Sequence, residues 1–257
     1  MTDAAAPRPR NSRRWIAILI VVVVLVTGAV VAAEFIAHSV VTSTVRSLVV
    51  KNVGLPDDQN VDVAVAGIVL PQVLGGRLDD VTITSNDVTL GPITGDVVVD
   101  MRGVPVSGGA AAEGGTASVA LDEDQLRTLL AQIPGFPSGT VQMAAPDLAF
   151  VNELSVFGVG IPVGVSVTPG AANGDLTLTP AGFELGGNSI DAETLRSQFG
   201  GVADSILGTR SLCIADRLPA ALRLTSATVQ GQNLLAGFDI DGGILNDPAL
   251  QRDGFCD

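Results

Sequence analysis

Aromatic and catalytic side chains are scarce in this chain. It has no tyrosine, one tryptophan and eight phenylalanines among 257 residues, so stacking platforms for sugars or bases are few. His38 is the only histidine, which argues against a Ser-His-Asp site in the body of the protein. The GxSxG, P-loop, HExxH and GxGxxG motifs are all absent. The sequence therefore predicts a protein that is not an enzyme and that holds no cofactor and no metal.

Basic residues are also scarce, and they are unevenly placed. Lys51 is the only lysine, and the formal net charge is −13. After Ala33 the chain carries ten basic and twenty-six acidic residues. Nucleic acid and anionic lipid surfaces repel such a domain. We therefore expect no nucleic-acid partner, and any attraction to a membrane must come from apolar surface or from an anchor.

Cysteine occurs only twice, at Cys213 and Cys256. In an oxidising compartment the simplest expectation is one disulfide between them. It would close a loop of about 42 intervening residues, which stabilises the fold by ~4 kcal/mol in the chain-entropy model. A redox or metal-binding pair is the alternative, although the sequence contains no CxxC motif.

One long apolar run stands out near the N-terminus. Residues 15–33 carry no charge and follow four arginines, and about twenty helical residues cross a ~30 Å hydrocarbon core. The arginines before the run predict a cytoplasmic N-terminus. The expected organisation is a basic cytoplasmic arm at 1–14, a transmembrane signal anchor at 15–33 and an extracytoplasmic domain at 34–257. A signal peptide cleaved after Val31-Ala32-Ala33 is the alternative, and it also exports the domain.

The exported region predicts an α+β fold. Apolar spacing of three and four residues indicates helices at 34–50 and 191–207, and the acidic residues 122–124 begin a short helix between them. Gly200-Gly201 costs the last helix about 2 kcal/mol relative to two alanines. Period-two alternation indicates strands, mostly antiparallel, at 61–67, 81–84, 88–90, 93–101, 116–121, 141–151, 155–168, 175–179, 221–230 and 234–240.

Several segments resemble a known family. The run VDVAVAG at 61–67, followed by IVLPQVLGGRLDDVTITSNDVTLG, is similar to the opening of the LmeA-like phospholipid-binding family of actinobacterial envelope proteins. VVVDMRGVPV at 97–106 and LPAALRLTSATVQGQNLLAGFDIDG at 218–242 also fit, and the resemblance covers roughly 35–245. Gly76, Arg77 and Asp79 match the family's anchor positions, and we interpret them first as turn and salt-bridge residues; a contact of Arg77 with a lipid headgroup is the alternative. The resemblance implies no catalytic residues.

What the resemblance implies is a tubular lipid-binding (TULIP-like) fold, a long curved antiparallel sheet wrapped around one or two long helices. Acyl chains of a phospholipid, or of another acyl-chain lipid, would lie between sheet and helix. The candidate lipid-binding residues are the apolar stripes: Val40, Val45, Leu48, Val65, Ile68, Leu70, Leu74, Ile83, Phe183, Leu195, Phe199, Val202 and Ile206. The partners expected are this lipid and the inner membrane, crossed by residues 15–33.

Two other functions are consistent with the same stripes. A structural or scaffolding envelope domain would pack them fully and bind a protein partner. An enzyme acting on envelope glycans or lipids would instead use some of the many carboxylates.

Overall fold

The computed structural model describes residues 12–53, 55–56, 58–90, 93–131, 141–156, 159–185, 188–200 and 207–256. They form an α+β fold with two antiparallel sheets, as the sequence predicts at this level. In chain order the elements are α1 (Ser12–Val53), β1 (Val61–Val65), α2 (Val69–Gly75), β2 (Arg77–Leu90), β3 (Ile93–Pro105), β4 (Gly114–Asp122), α3 (Glu123–Leu130), β5 (Val141–Ala144), β6 (Asp147–Val156), β7 (Val159–Ala172), β8 (Asp175–Leu185), β9 (Asn188–Asp191), α4 (Ala192–Phe199), β10 (Arg210–Leu212), β11 (Leu222–Gln230) and β12 (Asn233–Ile240).

The first helix joins two predicted segments into one. α1 is 42 residues long, or about 63 Å at 1.5 Å per residue. It contains the whole uncharged run, which starts at its fourth residue, Trp15, and it also contains the amphipathic segment predicted at 34–50. Within it, Leu19–Lys51 is long and apolar enough to cross a membrane, a test that a signal sequence near the N-terminus also passes.

The twelve strands of the described residues are divided between two sheets. The first sheet has the order β1-β2-β3-β4-β12-β11. The second has the order β10-β8-β7-β6-β5, with β9 paired to β8. β11, at the edge of the first sheet, packs against β7 of the second. Hairpins and short connections join most neighbouring strands. Every pairing among the described strands is antiparallel, including that of β4 with β12, which are far apart in the chain.

Four of the predicted strands need correction. The segments 81–84 and 88–90 are parts of the single strand β2. The strand predicted at 141–151 is two strands, because the chain turns at Ala145-Pro146, where proline has no N–H for the ladder. The strand predicted at 155–168 likewise contains the end of β6 and most of β7, and residues 157–158 lie outside the described part of the chain.

The helix predicted at 191–207 is interrupted at Gly200, and Leu207 is again helical. α4 ends at Phe199, and Gly200 follows with a left-handed φ of 52°. A glycine adopts this conformation without the penalty that a side chain would add, and it is a common way to end a helix. Residues 201–206 lie outside the described part of the chain.

The predicted disulfide is present. Cys213 and Cys256 are joined, with their Cα atoms 5.8 Å apart. The C-terminal segment that carries Cys256 also lies against the chain before β11, where the Gly254 N–H donates to the Leu218 carbonyl at 2.9 Å. The bridge therefore fastens the C-terminus onto the entrance to β11.

Candidate functional site

One face of the first sheet is apolar across all six strands. Side chains at paired positions of neighbouring strands point to the same face. One row of paired residues crosses the sheet: Val63, Ile83, Val99, Ala117, Phe238 and Leu224. The rows two residues away on either side are Val61, Ser85, Val97, Val119, Ala236 and Ala227, and Val65, Val81, Met101, Gly115, Ile240 and Leu222. Together the three rows form one continuous surface, here called the apolar face.

The opposite face of the same sheet is polar. A row of paired residues crosses it, made of Ala64, Thr82, Asp100, Thr116, Asp239 and Arg223. The Thr82 hydroxyl donates to the Asp100 carboxylate at 2.6 Å. Among the described residues, no group of three or more His, Cys, Asp or Glu side chains is placed to hold a metal ion. The sheet thus has one face for solvent and one for apolar contacts.

Two bulges keep the apolar face continuous. β2 shifts its register between Ser85 and Val88, and β11 shifts between Leu224 and Ser226. Each bulge inserts one extra residue, and the strand then resumes its alternation with the same face inward. As a result Ser85 and Val88 are both buried in β2, and Leu224 and Ala227 are both buried in β11.

The helix α1 covers one edge of the apolar face. Ala37, Val41, Val45 and Val49 recur every four residues, so they lie on one side of α1, and they pack against the buried cluster of β1, β2 and α2. Three candidate lipid-binding residues meet in this cluster: Val45, Val65 and Ile83. At this edge the face is closed by protein.

The other margins of the apolar face are also closed. A buried cluster lies near the end of β11. It contains Leu126 of α3, Val229 of β11 itself and Leu148 of β6 in the second sheet. α3 is placed there by a capping box, in which Asp122 accepts from the Gln125 N–H at 2.8 Å. At the opposite end of the strands a smaller cluster contains Met101, Ala112 and Ile240.

A central strip adjoins these margins, and protein covers it only in part. It consists of Val97 and Val99 on β3, Ala117 and Val119 on β4, and Ala236 on β12, and each of them keeps intermediate exposure to solvent. Val97 packs partly against the cluster under α1, and Val99 and Ala117 pack partly against the cluster of Met101. Three adjacent strands are about 10 Å across. Two of the five side chains are the small side chains of Ala117 and Ala236, so the surface at these positions lies closer to the sheet backbone than it does at the three valines. The arrangement is a shallow apolar floor with walls on several sides.

Several candidate residues point away from this floor. On α1, Val40 is 56% exposed and Leu48 is 53% exposed, because the side facing the sheet is the Ala37 to Val49 stripe. Ile68 and Leu74 flank or lie in α2 and are 64% and 81% exposed, and Leu70 of α2 is half-buried. The structure does not bring these residues together with Val45, Val65 and Ile83 in a common core.

The remaining candidates belong to a separate place. Phe183 and Leu195 pack against Ala192 and Leu207 beside the second sheet. α4 packs on β8 and β9, whereas α1 packs on β1 and α2, so the described residues of the two helices belong to different clusters. Three further candidates, the Phe199 side chain, Val202 and Ile206, lie outside what the structure describes.

The family anchor residues have structural partners. Gly76 ends α2 in a left-handed conformation with φ 78°. The Arg77 guanidinium donates to the Ala111 carbonyl at 3.0 Å and to the Glu113 carboxylate at 3.3 Å. The exposed Asp79 donates its backbone N–H to the Gln72 side chain at 2.9 Å. With Ile68 and Pro71, some of these residues line an open depression of about 570 Å³ beside α2.

Sequence reasoning missed the residues of the central strip. Their alternation was visible within three predicted strands, and it marked each strand as one-sided. Only the pairing register shows that Val97, Val119 and Ala236 are neighbours, and the sequence offers no signal for that register. The exposure of the strip depends further on how far α1 extends over the sheet.

Comparison with known proteins gives one match. The model of a family described as LmeA-like phospholipid-binding matches residues 32–238 of the chain. The match runs from within α1 to Phe238 in β12, and it contains every residue of the central strip. Neither a curated protein nor a solved structure matches the chain.

Proposed function

Because the chain belongs to the LmeA-like phospholipid-binding family, we propose that it holds the acyl chains of a phospholipid or lipid-linked intermediate on the central strip. The observation that carries this proposal is the partial exposure of an apolar floor whose margins are packed. Exposed contiguous apolar surface on a folded domain usually marks a site for an apolar partner. The protein acts as a binder, and no catalytic step on the lipid is part of the proposal.

The dimensions of the strip suit a segment of an acyl chain. On β4 the strip runs from Ala117 to Val119, which is about 7 Å of strand, and it is about 10 Å across. Each methylene group removed from water contributes roughly 0.8 kcal/mol, so several methylenes on this floor offset the cost of ordering the lipid. The aliphatic lining provides apolar contact area and few hydrogen-bonding groups, which favours acyl chains over a polar ligand.

We further propose that α1 anchors the protein in a membrane and that the domain after it lies in the cell envelope. Arg13 and Arg14 precede the uncharged run, as the positive-inside rule requires for a cytoplasmic N-terminus. The acidic domain gains no attraction from an anionic lipid surface, so an anchor would keep it near its ligand. α1 would then also be the helix around which the first sheet wraps, in the manner of tubular lipid-binding domains.

The experiment that tests the binding site is photocrosslinking in liposomes. The full chain is reconstituted with a phosphatidylcholine that carries a diazirine on one acyl chain, irradiated and digested, and the labelled peptides are identified by mass spectrometry. We expect labelled peptides from β3, β4 and β12 in addition to those from α1. Labelling of α1 alone would show that lipid reaches the anchor and not the strip.

A pair of Ala→Phe variants sharpens this test. Ala236→Phe fills the strip, and we expect it to reduce labelling of β3 and β4 at least fivefold while α1 stays labelled. Ala64→Phe adds the same side chain to the exposed opposite face and should change neither labelling nor stability. If the strip were fully packed core, Ala236→Phe would instead destabilise the fold by about 1–3 kcal/mol, and the wild type would show no strip labelling.

A further inference from the structure

An exposed apolar patch lies on α2. Ile68, Pro71 and Leu74 recur every three residues and therefore lie along one side of this short helix. All three are exposed, Leu74 to 81%. We call these three residues the α2 patch. Phe35 and Ile36 of α1, 76% and 64% exposed, extend apolar surface in the neighbouring helix.

The position of α2 along α1 is fixed by Glu34. Its carboxylate accepts hydrogen bonds from the backbone N–H groups of Val69 and Leu70, the latter at 2.8 Å. Val69 is also fully buried in the core of the first sheet. The first turn of α2 is therefore held within one side-chain length of Glu34.

Glu34 is itself the first charged residue after the uncharged run 15–33. Nineteen helical residues span about 28 Å, close to the ~30 Å thickness of a hydrocarbon core. A helix that places this run in the hydrocarbon places Glu34 at its boundary, where the headgroup layer begins. α2 is then held at the same level as that layer.

We infer that the α2 patch inserts into the headgroup layer of the membrane that α1 crosses, and that it seats the domain on that surface. The inference rests on the membrane anchoring proposed above. The occupant is the phospholipid surface itself, because α2 is tied to the point where α1 leaves the bilayer and the patch is apolar. Since the exported region is acidic, the contact uses apolar insertion and does not require anionic lipid.

Site-directed fluorescence in liposomes tests this inference. The full chain carries one introduced cysteine, labelled with the environment-sensitive dye NBD, and the two native cysteines are protected in their disulfide. The vesicles are phosphatidylcholine, with or without a doxyl quencher on the acyl chain. We expect a label at Leu74→Cys to shift its emission to the blue and to lose at least half of its intensity with the quencher. A label at Ile190→Cys, 41% exposed on the second sheet, should do neither.

A third label separates the two proposals. Val30→Cys lies in the uncharged run and is 54% exposed on α1, so its label must be quenched if α1 crosses the bilayer. An unquenched label at position 30 overturns the anchoring. Quenching at position 30 without quenching at position 74 overturns the inference about α2 alone. A third outcome is a blue shift at position 74 that depends on protein concentration, with an emission intensity that the lipid quencher does not reduce. It would show instead that a second copy of the chain covers the patch.

Discussion

Replacing Glu34 tests the contact that holds α2 against α1. Glu34→Ala leaves the backbone N–H groups of Val69 and Leu70 without their carboxylate, and Ile68 at the N-cap supplies no side-chain hydrogen bond of its own. Losing an N-cap acceptor costs about 0.5–2 kcal/mol, and a hydrogen bond to a charged group contributes about 1.5–3 kcal/mol. Because Glu34 is half-buried and water can partly replace its carboxylate, we expect the free energy of unfolding to fall by about 2–3 kcal/mol.

The assay is thermal unfolding of the full chain in nanodiscs, followed by circular dichroism. For a domain of 150–250 residues, 1 kcal/mol changes Tm by about 2–4 °C, so Glu34→Ala should lower Tm by roughly 4–12 °C. Glu34→Gln should fall between the wild type and the alanine variant, because the amide oxygen still accepts but carries no charge.

Glu113→Ala is the matched control. It also removes a carboxylate that contacts another segment, but the Glu113 side chain is 64% exposed in its ion pair with Arg77. Exposed pairs contribute about 0–1 kcal/mol, so Tm should change by no more than about 4 °C. Equal Tm values for wild type and Glu34→Ala would refute the reasoning, since α2 would then need no cap from α1.

Two further predictions concern the C-terminal half. Replacing Cys213 and Cys256 together by serine should lower stability by up to about 4 kcal/mol, with faster hydrogen exchange in the last ten residues; unchanged exchange would show that packing alone holds this segment. Asp191 accepts from the Thr194 backbone N–H at 2.6 Å and from its hydroxyl at 3.0 Å, and these bonds lower the Asp191 pKa. The stabilisation of α4 by the Asp191 carboxylate is therefore present above about pH 4 and is lost as the pH falls through the folded-state pKa. The amide hydrogens of α4 should exchange faster in acid, after correction for intrinsic exchange rates. Asp191→Asn should remove this pH dependence.

Local patterns were sufficient to predict much of the fold. The length of the uncharged run at 15–33 predicted the first part of α1. The alternation of apolar and polar residues predicted strands with one apolar face. The acidic start of α3 is a capping box at Asp122, and the disulfide follows from there being only two cysteines. Each of these features depends on residues that are near in sequence or unique in the chain.

The features that local patterns missed depend on distant partners. α2 has seven residues, includes Pro71 and lacks a side-chain N-cap of its own, and its first turn is capped by Glu34 from 35 residues away. The direction of the α1 stripe is set by which side meets β1, so Val40 and Leu48 could not be separated from Val45 by spacing alone. α4, the first part of the helix predicted at 191–207, ends where Gly200 takes a positive φ.

The two proposals together fix how far the lipid site lies from the bilayer. Val63, in the middle row of the apolar face, is six residues before Val69, so it lies within about 20 Å of the first turn of α2. Val99, the first strip residue of the same row, lies two strands further across the sheet, which adds about 10 Å. The intervening row of the apolar face, Val65, Val81 and Met101, is apolar and buried. If both proposals hold, a lipid that passes between the anchored protein's own membrane and the central strip must cross this row, so its packing has to open locally to admit the lipid.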